Sequence, residues 1–408
     1  MVEHVDVDVA VVGGGVMGLA AARALAPQAR VVVFERFEPR HERGASHGDE
    51  RMFRYLYPDA TYVQLAADSE EGWRRLEHDA GRTLLHPVGS LLHGPDAELD
   101  SAVRAAVGCE VDVERVSAAA AERRWPGMHF AGDVVVQPRA GWIEAAATVQ
   151  SLAVLATRAG ADIRFGTRVT GIEVAGGLGG LGGLGGLGGD DGVVAGADLA
   201  GLGGLDSGDS GDSGLGGGDG VVVHVDGGTV RADVVIVAGG AWTSGLLPEV
   251  ALPSLVTTEE HVLFFEPREW FVDAGITTFL HEDEITVYGM PGPGGLVKVG
   301  EHHNGAVVTG DERTFVTGPE RVDRMERYVA EWLPGLVPTA LHTSTCLYTS
   351  TKTLDFVLDR VGPVVVAAGF AGHGFKFVPE IGRRLAAMAM GDEAPDPRFS
   401  LEWHTAHS

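Results

Sequence analysis

Apolar and polar positions change period along this chain, and the changes mark out its elements. Residues 6–12, DVDVAVV, alternate and then become wholly apolar. A strand running into the buried centre of a parallel sheet has that pattern. GGGVMG follows, and GLAAARALA continues at helical spacing. Residues 30–36, RVVVFER, are a second apolar strand ending in an acid. Strand, glycine-rich turn, helix and strand thus fit within about 30 residues. Residues 61–79 predict an amphipathic helix with Trp73 and Leu76 on one face. Short strands and a helix around 116–125 occupy 84–140. A helix is predicted over 142–158 and a strand over 161–174. Residues 259–320 are strand-rich, with a core of their own. A helix over 320–333, a buried strand over 362–369 and a helix from Val378 to Met390 complete the pattern.

One stretch breaks it. Residues 175–220 are dominated by glycine, carry seven aspartates and no aromatic residue. Glycine loses the most backbone entropy on ordering and has no side chain to bury. The expectation is a flexible surface insertion between two strands. The irregular spacing, without a nonapeptide repeat, argues against a calcium-binding β-roll.

Composition narrows the class. The chain has 408 residues, 45% hydrophobic and 22% charged, which suits a globular protein with a large core. No apolar run approaches the roughly 20 residues that span a bilayer. The N-terminus is acidic where a secretory signal would be basic, so the cytoplasm is the expected compartment. A formal charge of −26 repels phosphate backbones and excludes nucleic acid as the expected partner. Two cysteines, Cys109 and Cys346, supply neither a disulfide framework nor a zinc site. Of 31 basic residues only three are lysines: Lys298, Lys352 and Lys376. A lysine kept in an arginine-rich chain hints at a place where a compact ammonium acts as the guanidinium fork cannot.

The first chemical motif is Gly13-x-Gly15-x-x-Gly18, with Val16 and Met17 between the glycines. Such glycines permit a tight turn and let the backbone approach a pyrophosphate at a helix N-terminus. Glu35, about 20 residues on, stands where an acid binds a ribose hydroxyl, and Arg36 adjoins it. The set predicts dinucleotide binding, and its N-terminal place favours FAD over NAD. A second cluster, Ser46-His47-Gly48-Asp49-Glu50-Arg51-Met52-Phe53-Arg54, concentrates histidine and arginine. It is either a solvated basic loop or a site for an anionic cofactor group or a carboxylate.

With these residues the chain resembles the monomeric sarcosine oxidase family, among the D-amino-acid-oxidase-like flavoproteins. The resemblance spans nearly everything outside 175–220. It rests on SHGD-x-R-x-x-R, on ADVVIVAGGAW ending at Trp242, on GTRV containing Val169, and on Lys298-Val-Gly-Glu-His302. Thr345-Cys346-Leu347-Tyr348-Thr349 and Gly369-Phe-Ala-Gly372-His-Gly374-Phe375-Lys376-Phe377 complete it.

The resemblance implies an α/β fold: a Rossmann-type FAD-binding domain of discontinuous segments, plus an antiparallel-sheet substrate domain. The expected FAD-binding segments are 1–83, 142–250 and 325–395, and the expected substrate-binding segments are 84–141 and 251–324. It implies that Ser46, His47, Arg51, Val169, Trp242, Gly369, Gly372, Gly374, Phe375 and Lys376 meet the flavin nucleotide. It implies that Cys346 holds the flavin covalently. Arg54 and Lys376 would pair with a substrate carboxylate, and Tyr288, His302 and Tyr348 would shape the pocket. Lys298 would promote reaction with oxygen, because a fixed cation lowers the cost of forming superoxide. The implied activity is oxidation of a small secondary amino acid by a monomer. Hydride passes to flavin N5, an imine forms, and O2 becomes H2O2.

Sarcosine and other N-methyl amino acids lead as substrates. Cyclic imino acids such as pipecolate or proline, with biosynthetic desaturation of such rings in secondary metabolism, and fructosyl amino acids follow. A flavin dehydrogenase and a non-catalytic flavin-binding protein are the alternatives from other classes. Glu301 beside the pocket would favour a second cationic or polar group on the substrate. Met52 and Phe53 replace aliphatic residues near the carboxylate site.

Overall fold

A computed structural model describes residues 3–174 and 220–407. The insertion expected over 175–220 lies outside the described residues except for Gly220. Its two flanks are neighbours: Val169–Val174 pairs antiparallel with Val221–Val225, with Val174 opposite Val221. The chain on either side of the insertion is therefore one hairpin of the sheet.

The first sheet has eight strands. Its centre is the N-terminal strand Glu3–Val12, which lies parallel between Val31–Phe34 and Gly228–Val237. Burial on both faces explains the unbroken run of apolar residues. Gly228–Val237 is long enough to change partner. Its first half pairs with Val221–Val225, and Val235–Val237 pairs parallel with Val364–Val366. Helices Val16–Leu25, Ala145–Arg158 and Val378–Met390 cover the sheet, with Leu19, Leu25, Leu152, Ile381 and Leu385 in its core.

The second sheet has nine strands and its own core, including Phe265, Phe279, Val297 and Val299. It is antiparallel except where Thr278–His281 runs parallel with Ser90–His93. A three-stranded sheet, Glu50–Phe53, Gly141–Glu144 and Leu85–His86, stands beside the other two.

The pattern-based reading needs three corrections. Residues 141–144 are a strand, and the helix begins at Ala145. Gly141 is required there, because a Cβ would lie 1.9 Å from the carbonyl oxygen of His86. The stretch 161–174 is two strands with different partners, Asp162–Arg164 beside Val31–Phe34 and Val169–Val174 beside Val221–Val225. Residues 325–350, expected with the nucleotide segments, join the second core instead. Met325, Val329 and Leu333 pack into it, and His342–Ser350 pairs with Val256–Phe264. Apolar periodicity shows that a helix has a buried face, not which core receives it. Among the described residues no helix is long and apolar enough to cross a membrane.

The helix Ala60–Ala80 ties the halves of the site together. Asp59 caps it, accepting from the Thr61 N–H at 2.8 Å, and Gly81 ends it at φ 65°. Trp73, fully buried on this helix, donates to the Lys376 carbonyl at 2.7 Å.

Two stability predictions follow from this packing. A Cβ on Gly382 would lie 2.6 Å from the Cβ of Ala20, where two helices cross. Gly382→Ala is expected to cost about 1–3 kcal/mol by overpacking, read as a lowered denaturation midpoint. His93 stacks on His281, ring centroids 4.0 Å apart, and burial with that neighbour holds it down at about 3. Below the ordinary histidine value of 6.5 the unfolded chain takes up this proton and the fold does not. Its contribution is therefore intact above that value and is lost as pH falls towards 3. His93→Phe should flatten the fall in melting temperature between neutral pH and about pH 4.

Candidate active site

Four strands of the first sheet run to one edge, and the glycine-rich turn sits there. Gly13 has φ 107°, and a Cβ on it would lie 2.4 Å from the carbonyl oxygen of Ala238. Gly18 brings the helix against the turn, since its Cβ would lie 2.0 Å from the Gly13 carbonyl oxygen. Glu35 is buried and accepts from the Gly14 N–H at 2.8 Å and the Phe37 N–H at 3.0 Å. Ser46 accepts from the Val16 N–H at 3.0 Å, which locks the loop before His47 onto the helix N-terminus. Thr167 donates its N–H to the Glu35 carbonyl, which places Val169 close by. Arg36 and Trp242 meet at Asp311, at 2.9 Å and 3.1 Å. The sequence reading did not include Asp311.

A separate cavity collects most of the expected chemical residues. His47, Arg51, Arg54, Tyr288, Lys298, His302, Cys346, Tyr348, Gly372, Phe375 and Lys376 all line it. Glycines make the room. Gly372, at φ 72°, would place a Cβ 2.3 Å from the Tyr348 ring, and one on Gly300 would meet the Tyr288 hydroxyl at 3.0 Å. Gly369 and Gly374 shape the same turn: their Cβ atoms would come within 2.9 Å of Thr351 and 2.8 Å of Phe370.

The charges in this cavity are unusual for their burial. Lys376 is 4% exposed and donates to the Tyr57 hydroxyl at 2.8 Å and the His373 carbonyl at 2.7 Å. Burial, with Arg54 nearby, holds its ammonium well below the usual lysine range. Arg54 lies 4.0 Å over the Tyr57 ring and donates to the Leu56 carbonyl. Among the described residues neither cation has an acidic partner within salt-bridge distance. Burial also pushes the Tyr57 hydroxyl up to about 12. Tyr57 thus stays a neutral hydroxyl between the two cations.

The histidines are neutral. Burial, Arg51 and Arg313 hold His47 down at about 3. Its Nδ1 lies 2.7 Å from the Gly44 carbonyl oxygen, and its Nε2 lies 2.8 Å from the Thr345 carbonyl oxygen and 3.1 Å from Arg313. His302 is held well below its ordinary value by burial, His303 and Arg54, and its Nδ1 lies 3.3 Å from the Tyr348 hydroxyl. Arg51 donates to the carbonyls of Glu50 and Ala45, each at 2.8 Å, and lies over the Phe375 ring. Cys346 is a free, half-buried thiol on the strand beside Glu260.

Several residues escaped the sequence reading. Arg313 is 6% exposed and ties Thr345 to His47 and to the Glu42 carbonyl. No local motif marked it. Tyr57 stands three residues after Arg54, and Glu50 lay inside a quoted cluster without a role. The placement of Glu301 needs correction. Along Val297–Glu301 alternate residues face opposite ways, so Lys298 reaches the cavity while Val297 and Val299 enter the second core. Glu301 shares that other face and is held by Arg324, Arg321 and Asn304 at 2.9 Å. It gives no reason for a second cation on the substrate. Met52 lines the cavity, whereas Phe53 is buried against Tyr55.

Similarity to known proteins agrees with this geometry. The family described as FAD dependent oxidoreductase, DAO, matches residues 8–202 and 211–388. The chain is 30% identical to a monomeric sarcosine oxidase of Streptomyces avermitilis over 409 residues, covering 96% of this chain and 95% of that one. It is 28% identical to an N-methyl-L-tryptophan oxidase of Yersinia pestis, covering 96% of each. Among solved structures it is similar to NikD, an unusual amino acid oxidase essential for nikkomycin biosynthesis. The TM-score is 0.75 at 27% identity, over 97% of this chain and 96% of that one. A glycine turn with no space for side chains, an acid at the second strand tip and a matching family lead to one conclusion: the chain belongs to the DAO family of FAD-dependent oxidoreductases.

Proposed function

We propose that this chain oxidises a small secondary amino acid of the sarcosine or N-methyl amino acid type, with O2 as acceptor. The observation that carries the reading is the pair of cations, Arg54 and Lys376, on one cavity wall without an acidic partner among the described residues. Buried cations are ordinarily paired. A substrate carboxylate would complete this site and favour the charged form of Lys376. The sarcosine and N-methyl-L-tryptophan oxidases to which the chain is similar support the same substrate class.

FAD supplies the redox chemistry when bound: it takes two electrons and a hydrogen from the C–H beside the amine, and O2 carries the electrons away as H2O2. The chain's own residues bind, orient and place charge. Arg54 and Lys376 fix the carboxylate and so the reacting carbon. Tyr288, His302 and Tyr348 wall the cavity, and a neutral His302 avoids a third positive charge beside the carboxylate site. Lys298 is the cation for oxygen. His47, Arg51 and Phe375 would stand by a bound flavin. Gly13, Gly15, Val16, Met17, Gly18, Glu35, Arg36, Ser46, Val169 and Trp242 serve the nucleotide end. Cys346 is the covalent anchor. A cyclic imino acid of the pipecolate or proline type is the second substrate class.

An anaerobic titration tests the reading. Sarcosine, N-methyl-tryptophan, L-proline, L-pipecolate and a fructosyl amino acid are added in turn, and the flavin absorbance is followed. Bleaching by a secondary amino acid is expected, and the compound that bleaches names the subclass. If none bleaches a bound flavin, the proposal fails. Arg54→Ala and Lys376→Ala should each weaken binding of that substrate by about tenfold or more, the worth of a charged hydrogen bond. Acid precipitation tests the anchor: the yellow colour should stay with the wild-type protein and wash out of Cys346→Ser.

A further inference from the structure

An acid sits beside Lys298. Glu50 opens the strand Glu50–Phe53, one place before Arg51. Its side chain turns inward: Glu50 is 2% exposed and Lys298 7%. The ammonium donates to the Glu50 carbonyl at 3.1 Å and lies 3.6 Å from Oε1 of the same residue. That Oε1 is buried and, among the described residues, has no hydrogen-bond partner. Gly292 leaves the space, since a Cβ there would lie 2.9 Å from Oε2. Two atoms of one residue therefore seat the ammonium.

The surroundings otherwise work against a charged lysine. Burial lowers its pKa most, and Arg51 lowers it further. Glu50 acts in the opposite direction. The other titratable groups lining the cavity are His47 and Asp49 from the preceding loop, Arg54, Tyr288, His302, Tyr348, His373 and Lys376. Asp49 and Glu50 are the acids among them, and Lys298 forms its ion pair with Glu50.

We propose that Glu50 is the positioning residue for Lys298, holding its ammonium protonated and fixed in the cavity. The inference rests on the oxidase reading, in which that charge serves the reaction with oxygen. Glu50 acts through the lysine, and its removal leaves the lysine buried with Arg51 and, among the described residues, no acid within salt-bridge distance.

The lysine itself can be watched. The chain has three lysines, so a holoenzyme carrying lysine labelled with carbon-13 at Cε shows three side-chain signals by NMR. Lys298→Met removes one and assigns it. In Glu50→Gln the Lys298 signal should titrate at least about one pH unit lower than in the wild type. The high-pH fall in the reoxidation rate of the reduced holoenzyme should move in the same direction. If Glu50→Gln is recovered without FAD, Glu50→Asp is read instead. Its shorter arm draws the carboxylate from Nζ, and a smaller shift of the same sign is expected. An unmoved Lys298 titration in these variants overturns the proposal. Reoxidation of Lys298→Met at the wild-type rate would instead remove the oxygen role of Lys298, and the Glu50 titration result would stand separately.

Discussion

The parallel pairing of Glu3–Val12 with Gly228–Val237 is the constraint on which the rest depends. It joins segments more than half the chain apart, in register from Glu3 opposite Gly228 to Val12 opposite Val237. The tips of Val31–Phe34 and Val364–Ala368 end at the same edge. The glycine turn, Glu35, Trp242 and the turn bearing Lys376 all begin where these strands stop. Ligands of open α/β sheets bind at that edge because helix N-termini and strand-end loops converge there. A shift of one residue in this pairing would move each valine to the opposite packed face and separate the turn from Ala238.

Buried positive charge is the second organising feature. The chain is strongly acidic overall, yet its cavity gathers Arg51, Arg54, Lys298 and Lys376, with Arg313 just behind His47. These cations are held in different ways. Arg313 and Arg51 are tied to backbone carbonyls, Lys298 to Glu50, and Arg54 and Lys376 to neutral oxygens. A neutral partner satisfies hydrogen bonds without cancelling charge, so the last pair retains attraction for an anion. Of these cations, Lys298 has a carboxylate within salt-bridge distance among the described residues.

The loop and turn residues that line the cavity are placed by rigid neighbours. Ser46 fastens the loop before His47 to the first helix. Trp73 fastens the Lys376 turn to the helix Ala60–Ala80. Arg313 fastens the same loop to the strand of Cys346. Each link is one or two hydrogen bonds, short enough to fix a side chain and too specific to be exchanged for packing alone.

Local information sufficed for the first strand–turn–helix–strand unit, because its glycines, apolar runs and terminal acid lie within one short segment. It also sufficed to mark Lys298, Cys346 and Lys376, whose motifs are contiguous. Other features depended on contacts between distant segments. The split of 161–174 into two strands, and the transfer of 325–350 to the second core, follow from which partner each segment meets. Glu301 was misplaced because its face depends on the pleat of the strand, and Glu50 and Arg313 went unassigned because their partners lie far away in the chain. Periodicity, motif spacing and the family resemblance thus marked the candidate residues. Only the tertiary structure decided which of them share a cavity, since burial, and with it the strength of every charge, is set by neighbours that the chain order does not place together.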